Sequence, residues 1–157
     1  MKPGFVALFA ACLLAACSSG GGDGSRLPDV RLPTVGGAEG PSLASCPAQR
    51  CLTVLVAPWC GVCRAVSPHI IELRRYLDAR GIPSRLVVGL DKEKALRAFA
   101  QGYGPDTLID SREVLQARGV PLFIVSGRDG SVLKRTAGFP QAGSISELAQ
   151  ALGLGLP

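Results

Sequence analysis

The sequence predicts an α/β domain with a central mixed β-sheet flanked by helices. Three observations predict it. A continuous apolar, β-branched run over residues 51–57 runs straight into an amphipathic helical pattern over 60–80. Strand-like and helix-like segments then keep alternating to residue 118. A hairpin and a capped helix close the chain. The chain has 157 residues, 47% of them hydrophobic, which suits one compact domain with an ordinary core.

The run at 51–57 lacks polar alternation, so it reads as a strand buried on both faces. Pro58 and Trp59 end it. Cys63, Val66, Ile70, Leu73 and Leu77 recur at spacings of three and four, which is one stripe of a helix. Arg64, Arg74, Arg75 and Arg80 fall off that stripe, and Gly81 stops it. Residues 85–90 predict a second buried strand, and 92–101 a helix with Leu96 and Phe99 facing the core. Residues 111–118 predict a short helix or turn, and 122–126 a third strand. Arg128-Asp129-Gly130 predicts a hairpin turn into a strand over 132–136. Ser144 with Glu147 three residues on is a capping box for a last helix, with Ile145, Leu148, Ala149 and Leu152 on its apolar face. The order β-α-β-α-β-β-α places parallel strands first and a hairpin last, with helices on both faces.

The N-terminus has a different composition. Lys2 precedes an apolar run over residues 5–17, too short for a bilayer core that needs about 20 helical residues. A positive charge followed by a short apolar stretch is a signal-peptide pattern. The run ends Leu14-Ala15-Ala16-Cys17, which resembles the lipobox of bacterial lipoproteins. That resemblance implies cleavage before Cys17 and a lipid on its thiol. Residues 1–16 are then the signal, 17–29 a lipidated cysteine with a Ser/Gly-rich tether, and 30–157 the folded domain. Cys12 leaves with the signal. Acyl chains contribute about 0.8 kcal/mol per buried methylene, so several of them make a stable anchor.

Charge excludes one class of partner. The net charge of +5 is spread along the chain without a basic stripe, so no nucleic-acid surface is expected. Four of the six cysteines remain for chemistry: Cys46, Cys51, Cys60 and Cys63. They could nominally make one zinc site. An intervening strand of about 25 Å at about 3.3 Å per residue separates the pairs and argues against it. No metal and no cofactor is expected. Outside the cytoplasm disulfides persist. Cys46 and Cys51 are therefore expected to bond each other as a structural bridge, with a second redox pair as the alternative.

Cys60 and Cys63 stand where a buried strand meets a helix. Unpaired N–H groups and the positive end of the dipole there favour thiolate over thiol. Cys60 is expected to be the exposed nucleophile, and Cys63, on the buried stripe, the resolving thiol. Trp59-Cys60-Gly61-Val62-Cys63 resembles the W-C-G-x-C active site of the thioredoxin superfamily. Pro68 resembles the proline of that family's active-site helix, and Gly119-Val120-Pro121 the loop whose cis-proline faces the cysteines. The resemblance spans about residues 50–153 and also takes in Gly138. It implies a thioredoxin fold and a thiol–disulfide oxidoreductase acting on exported proteins. It implies that Trp59, Val120 and Pro121 contact substrate, and that a membrane-bound or soluble redox partner resets the cysteines. The lipoprotein resemblance, with Ser18 rather than Asp after the lipidated cysteine, implies the outer membrane of a double-membrane bacterium, facing the periplasm.

The chain departs from the family in two places. Val54 and Val66 stand where members carry acidic residues that serve the second cysteine, and Gly61-Val62 matches neither the reducing nor the oxidising dipeptides. The alternative function is copper handling or haem and cytochrome assembly on the same fold. His69 would be the extra ligand there, but it reads as a surface or partly packed helix residue.

Overall fold

The computed structural model describes residues 24–155. The expected signal and Cys17 lie outside them. Strands β1 (Arg31–Pro33) and β2 (Glu39–Ser42) form a small antiparallel pair. Then follow β3 (Arg50–Val56), α1 (Gly61–Asp78), β4 (Ser84–Gly89), α2 (Glu93–Ala100), β5 (Leu108–Asp110), β6 (Leu122–Gly127), β7 (Val132–Ala137) and α3 (Ile145–Ala151). The main sheet has the order β5-β4-β3-β6-β7. β3 and β4 run parallel, as do β4 and β5, while β3–β6 and β6–β7 are antiparallel.

Strand alternation divides the core. Leu52, Val54, Val56, Leu86, Val88, Phe123 and Val125 point to one face, where the apolar sides of α1, α2 and α3 meet them. Leu55, Val87, Leu122 and Ile124 point to the other face. Among the described residues no helix covers that second face. Leu27, Leu32 and Leu43 of the N-terminal segment and Leu115 of a turn region cover it instead. The expectation of helices on both faces is corrected here, and residues 111–118 are turns. The cause is local. The Asp110 carboxylate accepts the N–H groups of Arg112 (3.2 Å) and Val114 (3.1 Å), and Glu113 and Gln116 take positive φ. A side chain that captures backbone donors in this way competes with helix formation.

The expected tether over 17–29 is corrected at its end. Leu27 is buried, its N–H bonds the Gly130 carbonyl at 2.9 Å, and Val132 N–H bonds Ser25 O at 2.8 Å. The chain therefore joins the body at the β6–β7 turn. Gly130 at that turn has φ +81°, and a Cβ there would lie 2.8 Å from Ala44 O. Only glycine fits the backbone and the space. At the far end of α1, Gly81 takes φ +67° and closes the helix as its sequence position predicts. Among the described residues no helix is long and apolar enough to cross a membrane.

Candidate active site

Cys60 is the N-cap of α1, and its sulfur accepts the Cys63 N–H at 3.0 Å. The helix forms here because Pro58 and Trp59 end β3 while the stripe from Cys63 to Leu77 has a sheet face to bury. The two sulfurs stand at disulfide distance, 2.34 Å, with Cα atoms 5.2 Å apart. Cys60 is 6% exposed and Cys63 is 0%. The expected order of accessibility holds, but Cys60 is far more covered than the sequence predicts. The cover comes from across the site, where the Val120 carbonyl oxygen lies 3.5 Å from Cys60 Sγ. The Val120–Pro121 peptide bond is cis and opens β6, which is paired beside β3.

Trp59 and Val62 are 61% and 53% exposed, so an apolar rim surrounds a nearly covered sulfur. The sequence does not reveal what braces this rim. Trp59 Nε1 donates to the Leu90 carbonyl at 2.7 Å, and Leu90 sits at φ +64° just past β4. Arg64 Nε donates to Pro58 O at 2.9 Å, and its guanidinium lies 5.8 Å from the Phe99 ring centroid. Ser67 donates to the Cys63 carbonyl at 2.8 Å. Its single proton is thereby used, so the Tyr103 hydroxyl donates to Ser67 Oγ. Burial pushes the Tyr103 phenol above its ordinary value. No periodicity announces Leu90, Arg64 or Tyr103, because each meets the site from a different element.

Val54 is fully buried and Val66 packs against the same core, so neither position presents a carboxylate to Cys63. His69 is exposed and its ring lies 5.7 Å from that of Phe139. Among the described residues no group of three or more His, Cys, Asp or Glu could hold a metal ion.

Cys46 and Cys51 are bonded at 2.10 Å, 4% and 0% exposed. Cys51 pairs with Ser126 at the start of β3, whereas Cys60 follows its end, where Leu55 pairs with Leu122. The two cysteine pairs thus occupy opposite poles of the sheet, about 20 Å apart at about 3.3 Å per strand residue. Beside the buried bridge, Arg85 donates to the carbonyls of Ser42 (2.6 Å) and Ser45. Burial lowers the Arg85 pKa from its ordinary value.

No protein-family model matches the chain, and no curated protein matches it. Solved structures do. An exposed lipoprotein thioredoxin from Streptococcus pneumoniae superposes with a TM-score of 0.66 at 20% identity, covering 80% of this chain and 98% of that one. A secreted disulfide oxidoreductase from Mycobacterium tuberculosis, homologous to DsbE of E. coli, gives 0.60 at 20% identity over 80% and 95%. A thioredoxin-family thiol:disulfide interchange protein from Chlorobium tepidum gives 0.63 at 18% over 83% and 95%. The chain has the thioredoxin fold.

Proposed function

We propose that this chain is a thiol–disulfide oxidoreductase of the thioredoxin superfamily, with Cys60 as nucleophile and Cys63 as resolving thiol. The observation that carries the reading is the placement of Cys60 Sγ on the first turn of α1. There it accepts the Cys63 N–H and keeps the little solvent access the pair has. In the reduced protein the same N–H and the helix dipole favour the thiolate over the thiol.

The Cys60 thiolate attacks one sulfur of a substrate disulfide. A Cys60–substrate disulfide forms, and the other substrate sulfur leaves as a thiolate that takes a proton from water. Cys63, deprotonated, then attacks Cys60 Sγ. The second substrate sulfur leaves, and the Cys60–Cys63 disulfide holds the two-electron oxidation. The same steps reversed oxidise a dithiol. Trp59, Val120 and Pro121 form the rim against which the substrate chain lies.

The reading extends to the cell envelope. Lipid on Cys17 would tether the domain, exported proteins would be its substrates, and a membrane-bound or soluble partner would reset it. The lipobox-like sequence supports this, as do a lipoprotein and a secreted protein among the similar structures. Because residues 25–27 join at the pole opposite Cys60, such an anchor presents the active site away from the bilayer.

Insulin reduction by dithiothreitol tests the activity. The wild-type chain accelerates it, Cys60→Ser abolishes the acceleration, and Cys63→Ser accumulates mixed disulfides. Acceleration that survives Cys60→Ser contradicts the assignment.

A further inference from the structure

We infer, resting on the oxidoreductase reading, that the substrate surface continues past the Val120–Pro121 loop into an arginine-lined groove that takes an acidic segment of the substrate polypeptide. A depression of about 470 Å³ begins at Gly119, next to the Val120 carbonyl that faces Cys60, and is bordered by Gln116, Arg118, Arg135 and Ala137. A second depression of about 380 Å³ shares Gln116 and Arg135 with it and runs on to Ser25 and Arg26. The two make one channel along the β7 margin, from the active-site pole towards the pole where the chain enters.

Its charge has one sign. Neither depression is lined by a carboxylate. Arg26 is held by Asp129 at 3.2 Å, and Arg135 has a partner of its own. Arg118 is exposed and makes no side-chain hydrogen bond or ion pair among the described residues. An unpaired guanidinium beside the cysteine rim offers a forked donor to a carboxylate. The walls between the arginines are small or apolar, Ala117, Gly119, Leu122 and Ala137, which leaves room for extended backbone. Since Gly119 adjoins Val120, a polypeptide whose cysteine sits at Cys60 enters this channel within a few residues. Acidic side chains there meet Arg118 first.

The probes are three short peptides, each with one cysteine in mixed disulfide with β-mercaptoethanol, differing only in flanking Glu, Gln or Lys residues. The readout is the second-order exchange rate with the reduced full chain. The Glu peptide should react roughly fivefold faster than the Gln peptide at low salt, because charges at a rim act mainly on association. The advantage should shrink to near unity at about 0.5 M salt. Arg118→Glu should reverse the preference towards the Lys peptide, Arg118→Lys should keep it, and both should leave exchange with hydroxyethyl disulfide unchanged. Equal rates for the three peptides overturn the inference, as does a Glu preference that survives Arg118→Glu. Arg118-dependent binding to anionic vesicles without peptide discrimination also overturns it, by assigning the groove to lipid. Failure of the wild-type chain to exchange with hydroxyethyl disulfide strikes the oxidoreductase reading instead.

Discussion

Replacing both Cys46 and Cys51 by alanine removes a cross-link whose sequence separation is 5. In the chain-entropy account the bridge withholds about 7 cal/mol/K from the unfolded chain for so short a loop, or about 2 kcal/mol at 25 °C. Folded over residues 24–155, the domain has an unfolding entropy of about 0.28 kcal/mol/K at about 2.1 cal/mol/K per residue. The melting temperature should therefore fall by about 7 °C. Exchange at Cys60 should not change, because the bridge lies at the other pole of the sheet, beside Ser126. Differential scanning calorimetry measures the first quantity, and turnover of hydroxyethyl disulfide at 25 °C measures the second. A variant that melts with the wild type refutes the entropic reasoning. A variant that is folded at 25 °C but has lost turnover refutes the structural role and makes this pair part of the redox chemistry.

Arg85→Met leaves the Ser42 and Ser45 carbonyls without their buried donor. It should cost about 2 kcal/mol, read from urea midpoints at constant m. Tyr103 has a raised pKa, so the folded state resists its ionisation. Its contribution to stability is complete below the unfolded value of about 10 and is lost as pH rises from there through the folded value. Tyr103→Phe should flatten the fall in melting temperature between about pH 9 and pH 11, and an unchanged slope contradicts the assignment. Cys17→Ala should block processing and lipidation, leaving a precursor that mass spectrometry of the membrane fraction detects. A wild-type chain with an intact, lipid-free N-terminus removes the anchor.

Much of the sheet was legible because its strands are long and buried on both faces. β3, β4 and β6 lie within a residue or two of the apolar runs that predict them, and the mostly exposed β7 was readable from the hairpin turn before it. The Ser144 cap of α3 is present too, its hydroxyl accepting the Glu147 N–H at 3.2 Å. Glu147 accepts the Gly143 N–H, one residue before the cap, instead of the Ser144 N–H of a full capping box. β1, β2 and β5 escaped notice. Each has only three or four residues, and Arg-Leu-Pro or Glu-Gly-Pro-Ser carries no period. They exist because tertiary pairing, such as the Thr34–Leu108 bridge, supplies what local sequence does not. In the site, the cysteine spacing and the strand–helix junction were readable from the chain. The depth of Cys60 was not, because Val120 approaches it from 60 residues away. The Leu90 and Arg64 braces and the Arg118 groove were equally hidden, since each exists only once separate elements meet.

The most direct test of the account is the pH dependence of alkylation in the reduced wild-type chain, followed cysteine by cysteine by peptide mass spectrometry. Cys60 should react first and already at a pH where an ordinary thiol is unreactive, while Cys63 on its buried stripe lags at every pH. A Cys63 that reacts before Cys60, or a Cys60 that titrates like an ordinary thiol, contradicts it.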